Sequence, residues 1–167
     1  MPQARFEKGG LPGLILFTPF FAQDERGYFV KSFERGLFEE AGIPFALDET
    51  FETYSRRGVL RGLHYQHGAP QAKLIRVLSG RIFDVAADIR QSSPTFGQWA
   101  GTVLESRNPR GIFIPPGFAH GFLVLSRTAL VGYQCGGAFL PEADTGIRWD
   151  DPDIAVKWPI EAVGEII

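Results

Sequence analysis

The chain has 167 residues, of which 44% are hydrophobic and 22% charged, and its formal net charge is -2. A chain of this size can bury a substantial core without disulfides or structural metals, and its ordinary composition excludes wholesale disorder. The small net charge gives no basic field for nucleic acid, and no apolar run approaches the ~20 residues that cross a bilayer.

Short strand-forming segments separated by turn residues dominate the chain. A strand is predicted at residues 13–18, a turn at 24–27 and a second strand at 28–33, followed by one short helix at 34–41. Further strands are predicted at 51–55, 59–66, 73–78, 81–89, 98–104, 111–114, 120–125 and 128–135, and the segment from Asp144 to Pro152 is interpreted as a loop and tail over the barrel. Many short strands with almost no helix favour an all-β sandwich, jelly roll or barrel, forming one domain over residues 1–167.

The strand over residues 81–90 shows the clearest alternation of side chains. Phe83, Val85, Ala87 and Ile89 alternate with Ile82, Asp84, Ala86 and Asp88. Because successive side chains of a strand point to opposite faces, the two sets lie on opposite sides of the sheet. We expect the bulkier hydrophobic set to face the core between two sheets. The acidic set is expected to face either a polar cavity or solvent.

The three histidines do not form a convincing metal site. His64 and His67 lie close together in the sequence, and His120 lies in the segment 112–122. In an extended strand residues 64 and 67 point to opposite faces, so they could not chelate one ion without a kink. We therefore expect no metal, and we interpret His67 as a turn residue.

A second chemistry fits these residues better. Epimerising a carbon next to a ketone needs a base on one face, an acid on the other and a group that stabilises the enolate charge. His64 can be the base near pH 7, Tyr133 the acid and Lys73 the positive charge. Arg61 can hold a phosphate in a fork of N–H donors. Each residue alone is better explained by packing or by exposure, and only their co-occurrence favours a shared pocket.

The spacing of Arg61 and His64 makes a prediction about the backbone. The two residues are an odd number of positions apart, so a regular strand would direct them to opposite faces. If both contact one ligand, the strand has to bulge or twist between them. Gly62 is the natural place for that irregularity.

The motifs of the chain resemble those of a known family. They are Arg61–Gln66 (RGLHYQ), Lys73–Val77 (KLIRV), Phe83–Arg90 (FDVAADIR), Ser93–Gly97 (SPTFG) and Ile114–Phe122 (IPPGFAHGF). Over residues 13–159 the chain is similar to the dTDP-4-dehydrorhamnose 3,5-epimerase family. The resemblance implies a cupin-type jelly-roll β-barrel with one or two short helices, a homodimer that exchanges N-terminal strands, and no metal or other cofactor. It also implies epimerisation at C3 and/or C5 of a nucleotide-linked 4-keto-6-deoxy sugar, in the biosynthesis of a deoxysugar such as rhamnose.

The resemblance also assigns roles to individual residues. His64 would be the general base and Tyr133 the general acid. Among the substrate-binding residues, Arg26 and Arg61 would bind the diphosphate, and Lys73 and His120 would lie around the sugar. Phe139 would stack on the nucleotide base, and Asp84 would lie in the barrel near Lys73. Asp144, where the family usually has Glu, and Glu49 would also contact the substrate.

The sequence departs from the family pattern in two places. The family commonly has Gln-x-Asn-x-Ser where this chain has Glu49, Phe51 and Thr53, and Lys31 stands where a Glu is usual. These changes suggest a different nucleotide or a different pattern of sugar hydroxyls. The family also pairs its base with an aspartate in a tail beyond a Trp-Pro dipeptide, and no such segment follows here before Ile167. Either that tail was lost or another acid orients the base, and Asp84 is the candidate.

Other functions remain open at this point. The chain could be a C3-only mono-epimerase or a ketoisomerase, a non-catalytic binder of nucleotide sugars, or a metal-dependent cupin enzyme. The single Cys135 excludes an intrachain disulfide and is typical of the reducing cytoplasm. The N-terminal sequence lacks the apolar segment of a signal peptide, so we expect a cytoplasmic protein.

Overall fold

A computed structural model of the protein describes residues 4–167. The strands are β1 (Arg5–Lys8), β2 (Ile15–Thr18), β3 (Phe20–Asp24), β4 (Gly27–Lys31), β5 (Glu49–Arg56), β6 (Leu60–Gln66), β7 (Ala72–Ser79), β8 (Arg81–Asp88), β9 (Trp99–Glu105), β10 (Gly111–Ile114), β11 (Phe118–Val124), β12 (Thr128–Gly136) and β13 (Asp144–Gly146). The helices are α1 (Arg35–Glu40) and a short 3-10 helix at Ile160–Ala162. Across residues 4–167, no helix has the length and apolar character needed to cross a membrane.

The strands form two antiparallel sheets that face each other as a jelly-roll barrel, which confirms the predicted fold class. The larger sheet has the order β1-β2-β10-β7-β12-β5, and the smaller has the order β13-β6-β11-β8-β9. Strands β3 and β4 form a separate hairpin. Side chains from both sheets meet in the space between them, including Ile75, Val77, Val131, Ile82, Phe122 and Val124. This apolar layer fixes the spacing of the two inner faces.

Each sheet is also covered on its outer face. Phe38 of α1 is 1% exposed and packs with Phe17 and Phe113 on the larger sheet. Trp158 of the C-terminal tail packs with Val85 and its neighbours on the smaller sheet. The barrel is therefore four layers deep where α1 and the C-terminal tail lie over the two sheets.

The second covering layer corrects the prediction for β8. The acidic set, with Asp84 and Asp88, faces the space between the sheets and is fully buried. The hydrophobic set, with Val85 and Ala87, lies beneath the C-terminal tail instead of between the sheets. Alternation separates the two faces of a strand, but it does not show which cover each face receives. The alternative that the acidic set faces solvent is therefore wrong.

Asp88 forms a compact polar cluster at the end of β8. It accepts hydrogen bonds from Arg90 Nε at 2.8 Å, Arg90 Nη2 at 2.7 Å, Ser93 Oγ at 2.6 Å and Thr95 Oγ1 at 2.6 Å. Arg90 also donates to the Pro12 carbonyl at 3.0 Å. Burial alone would raise the pKa of Asp88, but the hydrogen bonds outweigh it and hold that pKa far below its ordinary value.

This cluster predicts a loss of stability in acid. Because the pKa of Asp88 is lower in the folded chain than the ~3.9 of an unfolded one, the cluster stabilises the fold fully above about pH 5 and progressively less below pH 4. Asp88→Asn should lower the free energy of unfolding at pH 7 by roughly 2–3 kcal/mol and flatten its dependence on pH between about 5 and 3. Urea unfolding at several pH values measures both effects.

The matched control is Asp150→Asn. Asp150 accepts the same two bonds from an arginine two residues away, Arg148, but at an exposed position. Its substitution should leave the stability nearly unchanged, since exposed ion pairs contribute little. Equal losses in the two variants would contradict the importance of burial.

Candidate active site

A bulge in β6 brings Arg61 and His64 to one face. On β11, His120 pairs with His64 and Phe122 pairs with Arg61, so three steps along β6 match two steps along β11. Residues directly opposite each other on antiparallel strands share a face. His120 and Phe122 both face the space between the sheets, so Arg61 and His64 face it too. The predicted irregularity between these two residues is confirmed.

Gly62 is required by the geometry of this bulge. Its φ of 130° lies in the region that favours glycine, and the following peptide bond to Leu63 is cis. A Cβ at position 62 would lie 2.4 Å from the Cα of Gly121 and 2.8 Å from the carbonyl oxygen of His120. The backbones of β6 and β11 therefore touch at a point where no side chain fits.

His120 and Asp84 form a buried pair at the floor of the site. His120 Nε2 donates to Asp84 Oδ2 at 2.8 Å, and the two residues are 4% and 0% exposed. Asp84 Oδ1 is buried and has no hydrogen-bond partner within residues 4–167. The expected pairing of Asp84 with His64 is not formed, because β11 presents His120 to Asp84 across the β8–β11 ladder.

The His64 imidazole lies at the more accessible edge of the same face. Partial burial lowers its pKa, and Lys73, His120 and Arg61 lower it further, while Asp144 raises it. Asp144 of β13 pairs with Gln66, two residues along from the pair of Gly146 with His64. Within residues 4–167, Asp144 is therefore the carboxylate whose negative charge raises the pKa of His64. A neutral His64 at physiological pH can accept a proton.

Lys73 supplies a positive charge opposite the histidines. It lies on β7 directly beside Cys135 of β12, with its side chain directed between the sheets like that of Ile75. Burial lowers the pKa of Lys73, and attraction to Asp144 and Asp84 opposes this effect. Burial raises the pKa of the Cys135 thiol to about 11. A half-buried ammonium in this position can stabilise an anion that forms between the two sheets.

Tyr133 faces the histidines from the larger sheet. Its ring lies 5.9 Å from the His120 ring in an edge-to-face arrangement, and it stacks on Phe51 at 4.6 Å with an interplanar angle of 13°. Burial and the negative charge of Asp84 raise the pKa of Tyr133 strongly, so the phenol stays protonated near neutral pH. It can therefore donate a proton to a strong base such as an enolate.

Polar contacts organise the rim around these residues. Arg61 Nε donates to Ser55 Oγ of β5 at 2.9 Å, which fixes the guanidinium near the open edge. Gln71 donates to Glu49 at 3.0 Å, so Glu49 is also held at this rim. Gln66 Oε1 accepts from the Leu140 backbone at 2.7 Å, which ties the loop after β12 to β6.

Phe139 and Arg26 occupy outlying positions. Phe139 lies on that tethered loop and is 50% exposed. Arg26 lies at the tip of the β3–β4 hairpin, is exposed, and forms an ion pair with Asp24. No contact joins Arg26 to Arg61 or His64 among residues 4–167. The chain by itself therefore does not assemble the predicted two-arginine clasp.

A cavity of about 440 Å³ lies on the other face of the larger sheet. It is lined by residues whose side chains alternate with the catalytic candidates, among them Thr50, Glu52, Arg76, Leu78 and Gln134. Arg76 has a buried Nε without a partner in the described chain, and burial lowers its pKa. This space is separate from the chemistry between the sheets.

Sequence reasoning missed two contributors to the site, Ser55 and Gln66, and it named Phe51 only as a departure from the family pattern. Phe51 covers Tyr133, Ser55 holds Arg61, and Gln66 anchors the loop that carries Phe139. Alternation along β5 could have placed Phe51 and Ser55 at the site, because each is an even number of residues from Glu49 and therefore shares its face of the strand. No three His, Cys, Asp or Glu side chains are grouped to hold a metal ion within the part of the chain that the structure describes.

Comparison with known proteins identifies the family. The family model for dTDP-4-dehydrorhamnose 3,5-epimerase matches residues 8–166. The enzyme of that name from Methanothermobacter thermautotrophicus is 49% identical over 100% of this chain and 90% of its own, and that from Pseudomonas aeruginosa is 46% identical over 90% and 84%. The crystal structure of dTDP-6-deoxy-D-glucose-3,5-epimerase from Legionella pneumophila, in complex with dTDP-4-keto-L-rhamnose, is 43% identical, with a TM-score of 0.93 over 98% of this chain and 86% of that chain. The chain therefore belongs to the dTDP-4-dehydrorhamnose 3,5-epimerase family and is an epimerase of the isomerase class.

Proposed function

We propose that the protein inverts C3 and C5 of a dTDP-linked 4-keto-6-deoxy sugar, in the biosynthesis of dTDP-rhamnose. The observation that carries this proposal is the pair of opposed inner faces, with His64 beside His120 on the smaller sheet and Tyr133 of the larger sheet 5.9 Å from the His120 ring. The names of the relatives and the dTDP-sugar in the Legionella structure support the substrate.

Each residue has a defined part in the proposed reaction. His64 takes the proton from the carbon next to the ketone, and the electron pair moves into the carbonyl to give an enolate. Lys73 stabilises the enolate oxygen, and Tyr133 donates its proton to the opposite face of the same carbon. Solvent then returns a proton to the phenolate and removes one from the imidazolium. The same sequence at the second carbon completes the double inversion.

The buried His120–Asp84 pair has a supporting part in this scheme. It places a polar floor between base and acid, and the hydrogen bond at 2.8 Å keeps the His120 ring in one orientation. Arg61, held by Ser55, is proposed to bind the diphosphate at the open edge, where a guanidinium fork suits phosphate. Glu49, Asp144 and Phe139 are proposed to contact the nucleotide sugar from the rim.

Incubation in heavy water tests the function directly. With dTDP-4-keto-6-deoxyglucose, the protein should introduce deuterium at C3 and C5 and invert both centres, as followed by proton NMR. Absence of exchange with this substrate would contradict the proposal, and exchange at C3 alone would contradict the double inversion. A boiled sample controls for the spontaneous exchange of hydrogens next to the ketone.

We also propose that the enzyme is a cytoplasmic homodimer. The β3–β4 hairpin exposes Tyr28 and Phe29, which are 67% and 57% exposed, and the outer-face cavity leaves the Arg76 Nε without a partner in residues 4–167. Because Arg26 does not reach Arg61 of its own chain, its proposed role on the diphosphate requires a second copy. Sedimentation velocity should give the mass of a dimer, and a monomer at micromolar concentration would contradict this proposal.

A further inference from the structure

The Tyr133 ring packs against two other rings. Phe51 stacks on one face of it at 4.6 Å and 13°, and His120 approaches edge-on at 5.9 Å. His120 cannot turn away freely, because Asp84 fixes its Nε2 at 2.8 Å. Phe51 is therefore the one clamping side chain that lies on an edge strand and reaches solvent, with 44% of its surface exposed.

The stack restricts the direction of the phenol O–H. A tyrosine can rotate about two side-chain bonds, and a parallel ring against its face blocks the swing toward that side. The backbone register supports the same contact, because Phe51 of β5 lies directly opposite Tyr133 of β12. Removing the Phe51 ring would open space beside the phenol and admit water there, while leaving His64 on the opposite sheet undisturbed.

An enolate in this site can be protonated from two sides. Protonation by Tyr133 inverts the carbon, whereas return of a proton by the His64 imidazolium restores the original configuration. In heavy water the imidazolium exchanges its proton with solvent before some of these returns. The returned atom is then deuterium, and it marks the substrate without inverting it.

Resting on the proposed function, we propose that Phe51 is a positioning residue that sets the balance between these two outcomes. By holding the phenol over the enolate, it makes inversion by Tyr133 faster than return by His64. Its loss shifts the balance toward return, so the enzyme still removes the proton but inverts the carbon less often.

The measured quantity is the ratio of deuterium in unreacted substrate to inverted product. In Phe51→Ala this ratio should rise about three- to tenfold, the factor that corresponds to losing one stacked aromatic pair. Phe51→Tyr, which keeps the stack, should restore the wild-type ratio. Tyr133→Phe, which removes the acid itself, should set the upper limit of the ratio.

Tyr54→Ala is the matched control for losing an aromatic ring from β5. Tyr54 is 65% exposed and lies on the opposite face of the same strand, so its loss should leave the ratio unchanged. If exchange and inversion in Phe51→Ala fall by the same factor, Phe51 is merely structural and the inference is overturned. A wild-type protein that exchanges no deuterium would overturn the proposed function together with the inference, whereas an active wild type with an unchanged Phe51→Ala ratio overturns the inference alone.

Discussion

His64→Ala is expected to abolish both deuterium exchange and inversion, with a rate loss on the order of 10³ or more, because the site then has no base to remove the proton. The neighbouring groups that face His64 are Lys73, His120, Arg61 and Asp144. Arg61 and Lys73 are cationic, and His120 is hydrogen-bonded to Asp84, so these three do not replace the lost imidazole. Asp144 does not replace it either, because a carboxylate is a weaker base than an imidazole. Proton NMR of samples quenched at successive times measures the rates of deuterium exchange and of inversion in one reaction.

The pH dependence of the same reaction provides a second readout. Since partial burial and three neighbouring groups lower the pKa of His64, its neutral form should dominate at pH 7. The exchange rate should therefore rise with pH through a midpoint below the ordinary value of about 6.5 and then reach a plateau.

His67→Ala is the control for losing a histidine from this segment. His67 follows the end of β6, is exposed, and its backbone N–H donates to the Ala143 carbonyl, which the substitution preserves. Its rate should match the wild type. Exchange by His64→Ala at a rate near that of His67→Ala would show that another group is the base.

Gly62→Ala should have the second large effect, because it attacks the bulge that brings Arg61 and His64 together. The added methyl group would overlap the β11 backbone at Gly121, and the required φ of 130° disfavours any L side chain. We expect the variant to lose more than about 2 kcal/mol of unfolding free energy and at least about 100-fold in rate per folded molecule. Urea unfolding and the exchange assay measure the two effects.

Gly97→Ala is the control that separates the two effects of Gly62→Ala, the strain of a positive φ and the overlap of the new methyl group with the β11 backbone. Gly97 also has a positive φ, 79°, but no atom of residues 4–167 lies within 4 Å of a Cβ at that position. This variant should lose about 1 kcal/mol of stability and retain its rate per folded molecule. A Gly62→Ala protein that behaves in the same way would show that the bulge does not control the site.

Much of the architecture could be predicted from local patterns. The predicted strands from residue 51 onward and the helix near 34–41 overlap the observed ones, and the bulge at Gly62 followed from the odd spacing of two functional residues. By contrast, β1, β3 and β13 were not predicted. They have only three to five residues each and lie at sheet edges or in a separate hairpin, so their pairing depends on neighbours more than on their own alternation.

The sequence predicted the residue types of the site better than it predicted which of those residues contact each other. The sequence pattern identified His64, Tyr133 and Lys73 as a possible set, but it could not show that Asp84 bonds to His120. That contact depends on the register of β8 against β11, which is a tertiary property. Likewise, the sequence predicts the turn at 24–27 that contains Arg26, but no local pattern shows where the β3–β4 hairpin lies relative to Arg61.

The position of β5 at the edge of the larger sheet has a consequence for engineering the substrate specificity of this enzyme. Glu49, Phe51, Thr53 and Ser55 line the reaction space, yet within residues 4–167 their strand is hydrogen-bonded on one side only, to β12. Substitutions there can alter shape and charge around a bound sugar without forcing a second neighbouring strand to adjust. Directed evolution toward other activated sugars would therefore do best to begin with a library at these four positions.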